Sequence, residues 1–388
     1  MKYLLAGLVT FFLLTSFQDD WGFFGHRRIN RLAVFTLPPE MIVFFKKNIE
    51  YITEQSTAPD KRRYASKFEG VRHYMDLDRY GEPPFDQVPR NWTDALMQYT
   101  DIFVVKKDGD TTLLPVRQML ENENFRKPYR TFFIENIVKN YYEEDWTIDC
   151  EKLKNLPGLE TTPCIGAFAK DNFSEHGILP YHLEKMQRQL TTAFMERDAD
   201  KILRLAAEIG HYIGDAHVPL HTTENYNGQL SNQLGIHAFW ESRLPELFAD
   251  ETYDFWVGKA ERIEDPETYF WNIVLESHAL VRPVLDTEKS LSKTFPTDRQ
   301  YCFEDRLGQT VRLECAEYAA AFQEQMSGMV ESRMRAAVLA VGSSWYTAWL
   351  DAGKPDLENI YEKLPAEQEE DIEKKYREGK ILGREHGG

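Results

Sequence analysis

The stretch His211-Tyr-Ile-Gly-Asp215-Ala-His217-Val-Pro-Leu-His221 sets three imidazoles and a carboxylate within eleven residues. It closes an amphipathic segment, Lys201 to Ile213, whose apolar residues Ile202, Leu205, Ala206, Ile209 and Ile213 recur at helical spacing. His211 and Asp215 are four apart, so a helix stacks them one turn above each other on one face. Pro219 then ends the helix and redirects the chain, which lets His221 point at a second site. Neutral imidazole and ionised carboxylate form a ligand set that suits zinc. The same stretch also fits a polar helix end with surface histidines, so its meaning depends on what else the chain contains.

Histidines and carboxylates recur before and after it. Trp21-Gly-Phe-Phe-Gly-His26 comes first, then Asp60-Lys-Arg-Arg63 and His73-Tyr74-Met-Asp76. Downstream lies His237-Ala-Phe-Trp-Glu241, a second pair at i, i+4, on a short helix that Pro245 is expected to end. His217 matches no ligand position and reads as a residue behind the ligands or facing a cleft. His176, His182, His278 and His386 lie outside every motif.

The chain has 388 residues and carries a net charge of −17 with no long basic run, which excludes the electrostatic footprint of a duplex-binding protein. It does not exclude an enzyme that holds phosphates through metal ions, because the ions carry the positive charge. Met1-Lys2, an apolar run from Tyr3 to about Phe17 and then Gln18-Asp19-Asp20 read as a secretory signal over residues 1–20. The run is short for a membrane span, which needs roughly 20 residues. An uncleaved anchor is the alternative. No second run of that length follows, so the mature chain is expected to be soluble, with no transmembrane segment, and exported to the periplasm or the extracellular space; a monomer is expected. Four cysteines in an exported chain point to disulfides, and Cys150–Cys164 with Cys302–Cys315 is the expected pairing because each closes a short local loop.

The patterning is mainly helical. Helices are expected from His26 to Phe35, Glu40 to Thr53, Asn91 to Thr100, Arg130 to Tyr142, Leu179 to Phe194, Lys201 to Ile213, Glu267 to Leu280 and Glu314 to Leu350. Residues 56–90 and 146–175 read as irregular, and no strand-rich region is evident. The expected fold is all-α, one large bundle-like domain over residues 21–354, followed by a charged tail over 355–388.

As an ordered set, Trp…His, Asp…His, His-x3-Asp-x5-His and His-x3-Glu resemble the single-strand-specific zinc nucleases of the S-one/P-one type and the bacterial zinc-dependent phospholipases C. The resemblance runs from Trp21 to about Leu244. It implies an all-α fold with three zinc ions per chain. One ion would take Asp60, His73, His211 and Asp215. A second would take His26, Asp215 as a bridging carboxylate, and the amino and carbonyl groups of Trp21 as mature N-terminus. The third would take His221, His237 and Glu241. Two ions joined by a carboxylate lower the pKa of a shared water toward ~7, and the third lies near the leaving oxygen. Asp60, Asp215 and Arg63 are thereby the expected catalytic residues. Arg63 matches a phosphate-binding arginine, whose planar fork suits phosphate oxygens; a surface salt bridge is its alternative. Tyr74 stands where the nuclease branch stacks a base, and a core tyrosine is its alternative. Asp76 would accept from a base edge or support a ligand histidine.

The branches divide the remaining features. Trp21-x4-His26, the Asp60…Arg63 pair and Trp240 match the nucleases, whereas Glu241 matches the phospholipases. Only fifteen residues separate His221 from His237, where the nuclease branch has a longer insert. Asp19-Asp20, not a small-x-small cleavage site, precede Trp21. The expected function is zinc-dependent hydrolysis of phosphodiesters, with single-stranded nucleic acid or nucleotides first, phosphoglycerides as the alternative, and a non-catalytic zinc-binding exported protein as a third reading.

Overall fold

The structure, a computed structural model, describes residues 23–63, 66–142, 146–306, 308–358 and 360. The expected signal segment, Trp21 and nearly all of the charged tail lie outside the described residues. Helix dominates, and among the described residues no helix is long and apolar enough to cross a membrane.

A central helix, Ala199–Ala216, organises the core. Asp198 starts it by accepting from the Lys201 N–H. The preceding helix, Leu179–Glu196, ends at Arg197 in the left-handed conformation (φ 56°), and the pair packs as a helical hairpin. The first helix (Phe23–Ala33), the Ile49–Gln55 and Pro266–Ala279 helices and the long Met329–Asp351 helix close around the remaining faces. Every residue from Ile209 to Ala216 is therefore buried, polar ones included. A helix enclosed on all sides is expected to be apolar all round, so His211 and Asp215 stand out as interior polar groups.

Two glycines on this helix set how close the first helix comes. An added Cβ at Gly210 would stand 2.0 Å from Asn30 Oδ1, and one at Gly214 would stand 2.9 Å from His26 Nδ1. Asn30 uses the close approach, donating from Nδ2 to Ala207 O (2.9 Å) and Ile52 O (3.3 Å), so one buried amide joins three helices.

The fold is mainly helical rather than all-α. Strands β1 (Thr100–Val105), β2 (Thr111–Leu113), β3 (Thr147–Ile148) and β4 (Gly166–Asp171) form an antiparallel sheet in the order β2-β1-β4-β3. A hairpin follows in β5 (Tyr301–Arg306) and β6 (Gln309–Glu314). Both disulfides pair as expected. Cys150–Cys164 closes the segment between β3 and β4, and Cys302–Cys315 closes the hairpin.

Several helix boundaries also differ. The Glu40–Thr53 helix is interrupted at Asn48. The Arg130–Tyr142 helix runs instead from Glu123 to Asn136, before a short 3-10 turn. The Glu314–Leu350 helix splits into Ala316–Gln325 and Met329–Asp351, with Gly328 at φ 78° between them. Pro245 does not end the His237 helix. The chain passes from Ile236–Ala238 through a π-turn, Phe239–Arg243, into Leu244–Thr252, where Pro245 occupies the first turn and needs no N–H partner.

Gly210→Ala should lower stability by about 1–3 kcal/mol, because overpacking against Asn30 exceeds the gain in helix propensity. Urea unfolding of the variant and the parent checks this; an unchanged or raised midpoint would contradict the packing argument.

Candidate metal centre

Eight of the nine residues that the resemblance assigns as ligands lie among the described residues, and their side chains converge. His211 and Asp215 come from the central helix and His26 from the first helix. Asp60 comes from the short helix Ala58–Arg62, His73 from the loop after the next short helix (Lys67–Gly70), His221 from the 3-10 turn Pro219–Thr222, His237 from the turn Ile236–Ala238 and Glu241 from the π-turn that follows it. Four groups of three could each hold an ion: His26–Asp60–His211, His73–His211–Asp215, His221–His237–Glu241 and His26–Asp215–Glu241. The groups share members, so they form one connected cluster.

The distances test whether a metal fits. Donors each about 2.0–2.1 Å from a zinc ion stand roughly 3.3 Å apart across a tetrahedron. In the first subsite His73 Nδ1 is 2.9 Å from Asp215 Oδ2, and His211 Nε2 is 3.1 Å from His73 Nδ1 and 3.3 Å from Asp215 Oδ2. Asp60 Oδ1 is 3.6 Å from His211 and 3.7 Å from His73. In the third subsite His221 Nε2 and His237 Nε2 are 3.3 and 2.7 Å from Glu241 Oε2. Between them, His26 Nε2 is 3.3 Å from Asp215 Oδ1. Most of these spacings suit donors arranged around an ion better than direct hydrogen bonds.

The electrostatics also favour a cation. Burial pushes the Asp215 carboxyl up to about 7, with Asp60 and Glu241 adding to the rise and His221 and His26 opposing it. Burial raises Asp60 as well, but Arg63 beside it, with His211 and His26, holds it below its ordinary value. Burial raises Glu241 too, and His237 and His221 hold it well below the usual glutamate range. Burial lowers His26 and His211, which keeps both imidazoles in the neutral, ligating form.

Residues around the ligands fix their orientation. His26 stacks on His211 with ring centroids 3.9 Å apart, made possible by the close approach at Gly214. His237 Nδ1 donates to Tyr226 O (3.2 Å), which turns Nε2 toward Glu241. Behind His73 lies Glu69, buried, with Oε1 3.8 Å from His73 Nε2; it accepts from the Tyr212 hydroxyl and from Arg72 (2.7 Å). His278 Nδ1 donates to Thr222 O (2.9 Å) next to His221, and Arg333 Nε donates to His217 O (3.1 Å). None of Glu69, Tyr226, His278 and Arg333 belongs to a motif. For Glu69 the usable signal was its i, i+4 spacing to His73.

His217 is buried behind the ligands. Its Nδ1 donates to Ile213 O (2.7 Å), and burial, reinforced by Arg333, lowers it to about 3. Arg63 is also buried and reaches Asp60 Oδ1 at 3.0 Å, so it is an interior partner of a ligand, not a surface salt bridge.

Tyr74 and Asp76, the two expected substrate contacts, are both buried, as the core-tyrosine alternative for Tyr74 has it. Tyr74 is 5 % exposed and its hydroxyl donates to Glu175 O. Asp76 is 0 % exposed and lies 4.0 Å from His176 Nδ1. The segment through Glu175–Gly177 covers both, with Leu179 N donating to Tyr74 O. In this arrangement both side chains pack against that segment and not toward solvent. Trp21 lies outside the described residues.

No protein-family model matches the chain, and no curated protein matches it.

Metal binding should release protons in a pH-dependent way. At pH 6 Asp215 is mostly protonated, because its value is raised to about 7, and it must lose that proton to ligate; at pH 8 it is already ionised. Zinc titration of metal-free protein should release more protons at pH 6 than at pH 8, with Asp215 contributing about one of them, and affinity should be weaker at the lower pH. Calorimetry in buffers of different ionisation enthalpy measures this, and equal release at both pH values would contradict it.

Proposed function

We propose that the chain is an exported zinc-dependent hydrolase of phosphodiesters, with single-stranded nucleic acid or nucleotides as the first substrate class. One observation carries the reading: imidazoles and carboxylates from separate segments converge on one buried cluster with ligand-like spacings. An all-polar interior assembled from remote segments costs stability unless something compensates it, and bound divalent ions would do so. The two disulfides fit an oxidising compartment.

When bound, such ions lower the pKa of a water and polarise phosphoryl oxygens. The protein's own contribution is positional. Asp60, His73, His211 and Asp215 hold one subsite, and His221, His237 and Glu241 another. Arg63 fixes Asp60 and brings a planar cation to the cluster, where it can take a phosphate oxygen.

Phosphoglyceride headgroups remain the second reading on two observations. Tyr74 and Asp76 are buried, which weakens the case for the base contacts that the nuclease branch implies. Leu230 and Leu234 are 69 % and 70 % exposed on the loop between His221 and His237, where an acyl chain could meet them. Purified protein should therefore be offered single-stranded DNA, RNA and phosphatidylcholine micelles side by side while its zinc is counted. Fewer than about two zinc per chain, or no phosphodiester cleavage of any kind, rejects the proposal.

Asp215→Asn should lose about two of three zinc ions and abolish turnover, because its two oxygens face different subsites. Metal analysis beside the activity assay tests this; a variant that keeps all its zinc would show that Asp215 does not bridge. Arg63→Ala should lower kcat/KM by about 10²-fold or more, the loss typical of one transition-state donor. A kcat/KM within about twofold of the parent would leave Arg63 as only a structural partner of Asp60.

A further inference from the structure

We infer that Glu241 is a second bridging carboxylate, so that the middle subsite is complete on His26, Asp215 and Glu241 and does not depend on a terminal amine. The inference rests on the metal-centre reading above and assigns a ligand set that the motif resemblance does not give.

The two oxygens of Glu241 face different partners. Oε2 lies 2.7 Å from His237 Nε2 and 3.3 Å from His221 Nε2, while Oε1 lies 3.7 Å from His26 Nε2. Asp215 divides in the same way. Its Oδ2 faces His73 and His211 at 2.9 and 3.3 Å, while Oδ1 faces His26 at 3.3 Å. His26 thus meets one oxygen from each carboxylate, and these three residues form one of the groups that could hold an ion. The cluster is then a row of three subsites joined at Asp215 and at Glu241.

Local structure explains the reach of Glu241. The π-turn Phe239–Arg243 carries it, and two residues later Arg243 is buried and pinned, its Nε donating to Glu314 O (3.0 Å) and its guanidinium pairing with Glu304. Both partners lie on the hairpin closed by Cys302–Cys315. On the other side, the first helix lies against the backbone of the turn, where an added Cβ at Gly25 would stand 4.0 Å from Glu241 O. This brings His26 within range of Oε1. The extra methylene of glutamate lets one carboxylate serve both His26 and the pair on its other side. A middle subsite made only of side chains also suits a sequence in which Asp19-Asp20 precede Trp21, since it tolerates any cleavage point upstream.

Zinc is counted by atomic emission after dialysis in four proteins: the chain begun at Trp21, the chain begun at Gln18, Glu241→Gln and His237→Ala. Both parent chains should hold about three ions. His237→Ala should lose about one and Glu241→Gln about two, leaving only the Asp60–His73–His211–Asp215 subsite. The Gln18 chain keeps every site residue native, so it tests the middle subsite without any risk of misfolding from a substitution. A Gln18 chain that holds one ion fewer than the Trp21 chain would show that the amine is needed and overturn the inference. So would a Glu241→Gln protein that keeps as many ions as His237→Ala. A Trp21 chain that binds no zinc overturns the metal reading itself, and this inference with it.

Discussion

The structure depends on a carboxylate, Asp215, held inside a helix bundle with too little positive charge around it. Burial raises it to about 7 although His221 and His26 stand close by. In a helix enclosed on all sides, an aliphatic residue at this position would satisfy packing without that penalty. The arrangement is explained if the missing charge is supplied by ions. The glycines of the central helix, the stacking of His26 on His211 and the turn after Asp215 then all act to place donors around them.

The fold invests in fixing this geometry. Glu69 and Tyr212 brace His73 from behind, Tyr226 O orients His237, His278 holds the backbone beside His221, and Arg333 ties the end of the central helix to the Pro266–Ala279 helix through Ser277. Partners of this kind hold a metal ligand in the correct ring orientation, and their loss typically costs 10–100-fold in affinity or activity. They come from segments far apart in the chain, so the candidate metal centre and the core of the bundle are one structure.

Some of this was legible in the sequence. The i, i+4 pairs His211–Asp215 and His237–Glu241 place their side chains together by helix geometry alone, and both disulfide pairings follow from short local loops. The sheet was not legible. β4 reads Gly-Ala-Phe-Ala-Lys-Asp and β5 reads Tyr-Cys-Phe-Glu-Asp-Arg, short segments whose strand character comes from their pairing partners more than from their own pattern. The covering of Tyr74 was also hidden, because the segment at Glu175 that covers it is 101 residues away. The approach of Glu241 to His26 depends on a π-turn, and the sequence pattern suggested an ordinary helix ended by Pro245 instead.

On the reading proposed above, these side chains form one joined metal centre. Anomalous X-ray scattering from crystals of zinc-loaded protein, collected on both sides of the zinc absorption edge, tests it most directly. Three neighbouring peaks are expected, the middle one about 2.0–2.2 Å from His26 Nε2 and from an oxygen of each of Asp215 and Glu241. A map with no zinc peak at these side chains, or with a lone peak that touches neither Asp215 nor Glu241, would contradict it.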